Sequence, residues 1–434
     1  MRRLFIALVA GMISLEVSAQ SGTNSPYSQY GLGILSEQSS GFNRGMNGLG
    51  LGFRESDQVN FVNPASYSSV DSLTFLFDVG MAGQITNFKE QTEGGTRRVN
   101  ANNADFEYAV AGFRLKRGVG LSFGVLPYTN IGYNYSGRKY DDSHQTYSTF
   151  TFKGSGGIHQ AYLGAGIEIM HDLSIGMNIS YLWGTYDRSS VHVLSESSAN
   201  TLAKYYQASV RNYKVDLGVQ YSRQLTRKDA LTIGLTYSFG HDIGGHPKCL
   251  SVSTNSQTNL ADTTFMPSNG RSTHLEIPSQ YGIGVMWNHD GKWKIGLDYQ
   301  LQTWGSVSSP VDVNINGVSD YVMKSGLYKD RHKIIVGGEY CSKSISKSFF
   351  ERIRYRAGVS YTTPYLKINN TDGPKEMSAS VGLGIPFVNS GSILNISAQW
   401  LRQDACRSLV SENTFRFNIG LTFNERWFAK WKLQ

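Results

Sequence analysis

Residues 415–423 read Phe-Arg-Phe-Asn-Ile-Gly-Leu-Thr-Phe, so that large apolar side chains alternate with small or polar ones without a break. Successive side chains of a β-strand point to opposite faces, and this pattern therefore gives one apolar and one polar face. The same alternation recurs in residues 213–221 and 293–301. A tilted strand needs about nine to eleven residues to cross a bilayer. The pattern therefore predicts strands of a transmembrane β-barrel, with apolar faces toward lipid and polar faces toward the lumen.

The connections between the predicted strands alternate between short and long. Short turns are predicted near residues 117–118, 171–172, 227–229, 289–291, 342–347 and 388–390, and longer polar loops at residues 90–104, 136–146, 187–204, 241–273, 306–326, 369–376 and 402–411. Short periplasmic turns and longer extracellular loops are typical of bacterial outer-membrane barrels, whereas a soluble sandwich would lack this asymmetry. Counting strands between the breaks predicts an all-β antiparallel barrel of about 14 strands.

The amino terminus has the features of a secretory signal peptide. Met1-Arg2-Arg3 precedes an apolar run from Leu4 to about Leu15, and Val17-Ser18-Ala19 forms a small-x-small cleavage pattern. The apolar run is shorter than the roughly 20 residues that a transmembrane anchor needs. We therefore expect export, cleavage after Ala19 and insertion in the outer membrane. The mean hydropathy of −0.30 is compatible with this, because a barrel divides its apolar residues between alternating positions.

The segment from Gln20 to about Val70 is rich in Gly, Ser and Asn and shows no sustained alternation. It could be a disordered periplasmic tail. It nevertheless contains ten or so large apolar side chains, and a barrel of about 14 strands has a lumen wider than its own side chains can fill. We therefore predict a signal peptide at residues 1–19, a lumenal plug (hatch) at residues 20–71 and the barrel at residues 72–434.

The predicted plug ends in Asn63-Pro64-Ala65, just before the first strand. This tripeptide resembles the signature in the hatch of the long-chain fatty-acid transporter (FadL-type) family of outer-membrane barrels. Further similar blocks follow in order along the chain, at residues 156–166, 275–278, 328–340 and 356–359. The opening at residues 25–33 and the ending at residues 424–428 resemble a Bacteroidetes branch of that family.

The resemblance implies a path in which a hydrophobic molecule enters the lumen from outside and leaves sideways, through an inward kink in the third strand. The third strand is predicted from Val119 to about Tyr135 and contains Pro127. Proline cannot donate to a ladder and inside a strand marks an edge or a bulge. The hypothesis is a lateral gate formed by Pro127, Tyr128, Thr129 and Asn130. The alternative places Pro127 above the membrane, where the strand has become a loop.

No catalytic residues, metal site or cofactor are predicted. His241, His246 and Cys249 share one polar loop but would lack a fourth zinc ligand. Motifs of nucleophilic or phosphate-binding enzymes are absent from the sequence. Charges expected to face the lumen are interpreted as solvated or paired residues of the wall, namely Asp216, Asp298, Glu339 and Arg356.

The cysteines and the net charge add little to these expectations. Cys249, Cys341 and Cys406 are too few and too unevenly spaced for a disulfide framework, and we expect free thiols. A bond between Cys249 and Cys406 is the alternative. The formal charge of +8 fits contact with anionic lipid phosphates or a solvated rim, and we expect no nucleic-acid partner.

Two functions are compatible with these features, and neither is an enzyme. The first is a channel or transporter for hydrophobic or amphipathic, fatty-acid-like molecules, with membrane lipids and apolar small molecules as partners. The polar character of residues 187–204 and 241–273 argues against fatty-acid capture. The second is a non-catalytic barrel subunit of an outer-membrane protein-assembly or secretion complex. An apolar pocket that continues to the third strand would favour the first, and a filled lumen with an exposed apolar patch the second.

Overall fold

The chain folds into one closed β-barrel whose lumen holds the amino-terminal segment. The computed structural model describes residues 22–72, 74–92, 95–140, 146–196, 198–267, 272–315, 318–368, 371–387, 391–405 and 409–426. The predicted signal peptide lies outside the described residues. Within them, helices are short, and none has the length and apolar character to cross a membrane.

Fourteen antiparallel strands form the wall, as the sequence predicts. They are β1 (Thr74–Thr92), β2 (Gly95–Lys116), β3 (Val119–Tyr140), β4 (Tyr147–Met170), β5 (Leu173–Leu194), β6 (Thr201–Gln224), β7 (Asp229–Ser238), β8 (Gln280–His289), β9 (Trp293–Gln302), β10 (Arg331–Tyr340), β11 (Arg354–Thr362), β12 (Lys375–Pro386), β13 (Ile393–Asp404) and β14 (Ser411–Arg426). Each strand pairs with its neighbour in sequence, and β1 pairs with β14 from Thr74↔Arg426 to Lys89↔Ser411, which closes the barrel.

The wall has the two faces that the alternating sequence requires. Along β9, Trp293, Ile295 and Leu297 are exposed on the outside, whereas Lys294 and Asp298 are buried on the inside. Aromatic residues edge the apolar belt at both ends. At the end with the short turns, here the turn end, they are Trp287, Trp293, Tyr340 and Tyr355; at the opposite loop end they are Tyr181, Trp183, Tyr237, Tyr299 and Trp400. Such a belt between two aromatic rings is what a barrel needs in a bilayer.

The strands differ in length around the barrel. The first six have 19–24 residues, and the next five have 9 or 10. Because about nine to eleven residues cross a bilayer, the first six strands extend well beyond it at the loop end. The expectation of long loops at residues 90–104, 136–146 and 187–204 is therefore wrong, since most of these residues are strand.

The remaining predicted loops also contain ordered β-structure. The region 241–273 holds a hairpin of Lys248–Thr254 and Ala261–Met266 that continues the edge of β6, and residues 306–326 hold the hairpin Ser309–Ile315 with Val318–Lys324. Smaller elements are the strand pairs His241–Gly244 with Leu275–Ile277 and Lys367–Ile368 with Thr371–Asp372, the 3₁₀ turns Pro26–Gln29, Pro64–Ser69 and Trp304–Ser306, and the helices α1 (Gly41–Arg44) and α2 (Phe349–Arg352).

The described amino-terminal segment, residues 22–72, lies inside the lumen as a plug. Its apolar side chains Phe42, Met46, Leu49 and Phe53 are fully buried and pack against the wall. A second cluster joins Val59, Phe61 and Tyr67 of the plug to the inner faces of β1–β4. The interpretation of this segment as a disordered tail is therefore wrong.

Candidate functional site

The Asn63-Pro64-Ala65 motif fixes the end of the plug to the wall. The Asn63 side chain accepts a hydrogen bond from the Ala65 backbone N–H at 3.1 Å, which begins the 3₁₀ turn that Pro64 favours. Its amide donates to the Leu51 carbonyl at 2.9 Å within the plug, and lies 3.2 Å and 3.4 Å from the carbonyls of Val219 and Leu235 in the wall. One buried amide thus connects two parts of the plug with β6 and β7.

Glycines of the wall make room for this motif. A Cβ added at Gly218 would lie 2.2 Å from the Asn63 side-chain oxygen, and one at Gly176 would lie 2.3 Å from Pro64. At Gly234 it would lie 1.9 Å from the Leu51 carbonyl oxygen. At distances below 3.0 Å a neighbouring atom must shift, and at Gly176 and Gly234 the neighbouring atoms belong to the backbone of the plug. The plug therefore lies directly against the main chain of the wall.

A buried ion pair holds the first half of the plug. The Arg44 guanidinium lies 2.8 Å from the Glu107 carboxylate of β2, and the Arg44 side chain is 1% exposed. Burial alone would lower the pKa of Arg44, but the carboxylates of Glu107 and Glu37 outweigh this effect and raise it. For Glu37, burial opposes ionisation, while Lys333, Arg44 and Arg416 hold the pKa of its carboxyl below the usual value. Both groups therefore stay charged inside the lumen.

A second charged network lies toward the turn end. Lys294 of β9 is 2.6 Å from Glu55 of the plug and 3.0 Å from Glu339 of β10, and Arg356 of β11 is 2.7 Å from Glu339. The side chains of Glu339 and Arg356 are 2% and 1% exposed. These predicted wall charges are thus paired, and through Lys294 they are joined to the plug.

Two further wall residues bind the plug. Arg354 lies 2.5 Å from Asp57, and the Asp298 carboxylate accepts hydrogen bonds from the backbone N–H groups of Gly50 and Leu51 at 2.8 and 2.9 Å. Asp216, by contrast, contacts only Lys214 and Ser238 of the wall.

The predicted gate residues lie at an interruption of the wall. The ladder between β2 and β3 runs from Lys116↔Val119 to Ala109↔Val125 and ends there. The ladder between β3 and β4 continues, with a bulge between Pro127 and Thr129 that leaves out Tyr128. Beyond Val125, residues 96–107 of β2 and residues 126–139 of β3 form the two sides of a gap, here named the wall seam.

The seam begins near the loop-end boundary of the apolar belt. Pro127 pairs with His159, whose ring lies 5.8 Å from the ring of Trp183 in the loop-end aromatic ring. From Leu126 to Tyr133, both faces of β3 are largely buried. Pro127 thus lies within a strand, near the loop-end boundary of the membrane. This position is intermediate between the two alternatives given by the sequence, a strand inside the membrane and a loop above it.

The plug covers all four predicted gate residues. A short strand, Ile34–Leu35, pairs antiparallel with Asn130 and Thr129. The Ser36 N–H donates to the Tyr128 carbonyl at 3.0 Å. The Gln38 amide donates to the Pro127 carbonyl at 2.9 Å. The chain's own main chain therefore takes the place that β2 leaves at this level of the wall.

Further contacts hold the plug on both sides of the seam. The amide of Asn24 donates to Asn103 of β2 at 3.0 Å, and the Tyr135 hydroxyl of β3 donates to Gln29 at 2.9 Å. Ser28 exchanges hydrogen bonds with the backbone of Gly132 at 3.2 Å. The sequence offered no signal for these contacts, which join residues about one hundred positions apart.

A cavity of about 250 Å³ remains in the lumen. Its lining is mixed: amide and charged side chains such as Gln160, Lys333 and Arg416 alternate with apolar ones such as Leu35, Phe61 and Leu126. The lining includes Tyr128 and Asn130, so the cavity reaches the third strand. An apolar ligand would leave the polar groups without partners, which is costly in a dry site, so the cavity meets the expectation of an apolar pocket only in part.

An apolar cluster covers the lumen at the loop end. Tyr27 and Leu32 of the plug pack with Trp304, Tyr328 and Tyr365 from the outer connections. The rings of Trp304 lie 5.7 Å from Tyr328 and 5.0 Å from Tyr365. These connections, polar by overall composition, thus bury their aromatic residues on the plug.

At the turn end, the connection between β10 and β11 exposes apolar side chains. Ile345 is 94%, Phe350 71% and Phe349 48% exposed. This segment, residues 341–353, is longer than the other turns at this end and includes the single turn of α2. Its exposed side chains form an apolar patch, here named the turn patch. An exposed apolar patch is one of the features expected of a barrel that binds other proteins.

The described residues contain no group of three or more His, Cys, Asp or Glu side chains able to hold a metal ion. His241 stacks on Tyr213 at 4.6 Å, while Cys249 is buried against Met266 and Tyr321. Burial raises the pKa of the Cys249 thiol to about 11. Cys249 and Cys341 are free thiols, and Cys406 lies outside the described residues.

Solved structures similar to this chain include two toluene transporters and a FadL homologue. The Pseudomonas putida toluene transporter TodX matches with a TM-score of 0.63 and 15% identity over 92% of this chain and 100% of that one. The Ralstonia pickettii toluene transporter TbuX gives 0.58 and 14% over 89% and 98%, and a Pseudomonas aeruginosa FadL homologue gives 0.60 and 12% over 90% and 99%. At such identities the likeness shows the fold, and it confirms the predicted barrel with its internal plug.

No curated protein matches the chain by sequence. A protein-family model described as BamG matches residues 1–434.

Proposed function

We propose that this chain, which belongs to the BamG family, is a non-catalytic barrel subunit that works with the machinery assembling proteins in the bacterial outer membrane. The observation that carries the proposal is the closed wall: the seam at the level of the gate residues is filled by Ile34–Leu35 and hydrogen-bonded to the plug. Such a barrel offers surfaces to a partner, while its plug occupies the lateral path from the lumen to the membrane.

The rest of the lumen supports this function. The plug is held by the buried ion pair of Arg44 and by partly buried pairs at Lys294 and Arg354, and breaking a fully buried pair costs about 3–5 kcal/mol. Opening a path past the plug must overcome these contacts. The charged and amide groups in the cavity lining further disfavour an apolar molecule.

The turn patch supplies a surface for the periplasmic side. With the short turns toward the periplasm, Ile345, Phe349 and Phe350 are presented where soluble assembly factors act. Lys343 and Lys347 flank these residues, so that the patch combines an apolar centre with a charged rim, as protein interfaces do.

A second candidate is the transport of hydrophobic or amphipathic, fatty-acid-like molecules. The interruption of the β2–β3 ladder beside Pro127 favours it, because an opened seam would lead from the lumen into the membrane. Two solved structures with this fold, TodX and TbuX, are toluene transporters. We therefore propose the lateral gate at Pro127, Tyr128, Thr129 and Asn130 as part of this second candidate.

We also propose a cleaved signal peptide at residues 1–19, a plug at residues 20–71, a barrel at residues 72–434 and membership of a Bacteroidetes branch.

A disulfide across the seam distinguishes the two functions. In a background with Cys249, Cys341 and Cys406 replaced by alanine, Ile34→Cys and Asn130→Cys lie on paired strands, within reach of a disulfide. The oxidised protein cannot open the seam there, and its reduced form is the matched control.

We expect the oxidised form to restore normal levels of other outer-membrane proteins in cells that lack this chain, and to co-purify with assembly proteins as the reduced form does. Uptake of a labelled long-chain fatty acid should be equally low in both forms. If oxidation abolishes uptake that the reduced form supports, while outer-membrane protein levels do not depend on the chain, the assembly function is wrong and the transporter is supported.

A further inference from the structure

The outer part of the wall seam has two long strand edges without a neighbour. Each edge belongs to a strand that is fully paired on its other side: residues 96–106 of β2 with β1, and residues 129–139 of β3 with β4. Within the described residues, the plug occupies the inner part of the open side of β3: Ile34–Leu35 pairs with Asn130 and Thr129, and Ser28 exchanges hydrogen bonds with the backbone of Gly132. Farther out, no described strand pairs with residues 133–139 on this side, so the backbone groups there are available to another chain.

The occupied part of the seam shows what fits the rest. Ile34–Leu35 is an extended segment that pairs antiparallel with Asn130 and Thr129. The edge of β3 thus accepts a strand at this level, and the same strand continues outward beyond Gly132, from residue 133 to 139. About seven residues of extended peptide would span that distance.

The charges of the seam define the partner further. Arg97 and Arg98 on β2 and Arg138 and Lys139 on β3 are exposed near its outer end. The stretch of β3 from residue 126 to 139 contains no acidic residue, and the two on the β2 edge lie at its inner end, where Asp105 accepts a hydrogen bond from Asn130 and Glu107 pairs with Arg44. Four cations repel the same edges of a second copy of this chain, which is how natural edge strands avoid self-association. The same cations attract a segment that carries carboxylates.

We propose that the outer part of the wall seam binds an extended, acidic peptide segment of another protein as an added β-strand. Main-chain hydrogen bonds to the open edges hold the segment, and the four cations select for its charge. The site lies beyond Ile34–Leu35 at the loop end, so it is distinct from the gate residues and from the turn patch. This proposal rests on the open strand edges and the four cations beside them. It does not require the proposed function in outer-membrane protein assembly.

The test measures fluorescence anisotropy of a labelled peptide, about ten residues of alternating threonine and glutamate, with the full mature protein in lipid nanodiscs. We expect saturable binding that weakens at least tenfold when Arg97, Arg98, Arg138 and Lys139 are all changed to glutamate. The matched control changes Lys248 and Lys324, exposed at the same end, to glutamate and should bind as the unchanged protein does. Heat-modified migration on gels checks that every variant is folded.

Two further probes decide whether the strand edges are used. A peptide with proline in place of every threonine keeps the carboxylates but loses half of the backbone donors, and it should bind at least tenfold more weakly. Equal binding of both peptides would show that charge alone is responsible and would overturn the proposal. Absence of binding up to about 1 mM peptide would overturn it as well.

Lipid phosphate is the competing occupant of the four cations. Nanodiscs with and without lipopolysaccharide should bind the peptide with affinities within a factor of about three if the seam is a peptide site. If lipopolysaccharide binds through the four cations and abolishes peptide binding, the site recognises lipid and the proposal is wrong.

Discussion

Replacing Asp298 by alanine should release the centre of the plug from the wall. The Asp298 carboxylate accepts hydrogen bonds from Gly50 and Leu51 at 2.8 and 2.9 Å, and it is fully buried. A hydrogen bond to a charged group contributes about 1.5–3 kcal/mol, so the loss of two costs about 3–6 kcal/mol. Since about 1.4 kcal/mol corresponds to a tenfold change in an equilibrium, local opening should become more frequent by roughly 10²–10⁴.

Amide hydrogen exchange followed by mass spectrometry measures this opening directly. Exchange of a peptide that contains Gly50 and Leu51 should accelerate by at least two orders of magnitude in the alanine variant, while peptides of β9 and β12 keep their protection. The wall ladders do not depend on this side chain. The effect is therefore expected in the plug alone.

Two controls make the result specific. Asp298→Asn keeps an oxygen acceptor at nearly the same position and should lose much less protection. Asp216→Ala removes another inward-facing wall carboxylate, partly exposed, whose partners Lys214 and Ser238 lie in the wall, and it should leave the plug unchanged. If Asp298→Ala changes exchange of the plug by less than a factor of about three, the hydrogen bonds do not anchor it and the reasoning is wrong.

Three further changes test other parts of the structure. Glu339→Gln removes the partner of two buried cations and should lower the free energy of unfolding by about 3–5 kcal/mol, measured by denaturant titration in detergent; Glu351→Gln, on an exposed turn, is its control. Gly234→Val should force the plug away from the wall and expose it to protease, because a Cβ there would lie 1.9 Å from the Leu51 oxygen. Phe349→Ser with Phe350→Ser should abolish co-purification of periplasmic partners without altering heat-modified migration, and unchanged co-purification would remove the turn patch as a docking surface.

The sequence predicts the barrel well because lipid and lumen impose opposite demands on neighbouring residues. In residues 293–299 every large apolar residue is exposed and every polar or small residue between them is buried. Where both faces of a strand contact water, no alternation of apolar and polar residues is required. Residues 96–102 and 136–140 accordingly show no alternation, although they form strands. The extension of the first six strands was therefore beyond prediction from periodicity.

The candidate site was predictable only in part, for a similar reason. Asn63-Pro64-Ala65 can be found as a local motif, and Pro127 interrupts an otherwise regular strand. The pairing of Ile34 with Asn130 joins residues 96 positions apart and leaves no local trace. The wall glycines at 218 and 234 carry a signal that could have been used, since glycine at an inward position marks a close approach of another backbone.

The energy of opening the seam separates a channel from a closed subunit that shares its fold. Displacing the plug here breaks the Ser36–Tyr128 and Gln38–Pro127 hydrogen bonds, the contact of Asn130 with Ser36, and the ladder bonds of Ile34–Leu35. At about 1 kcal/mol for each of at least four bonds, the open state would be populated to no more than roughly 0.1%. Only a molecule that binds the open state several kcal/mol more tightly could reverse this ratio. Gln160, Lys333 and Arg416 in the cavity lining reduce this advantage for an apolar solute, whereas the peptide strand proposed for the outer part of the seam leaves Ile34–Leu35 in place and needs no such opening.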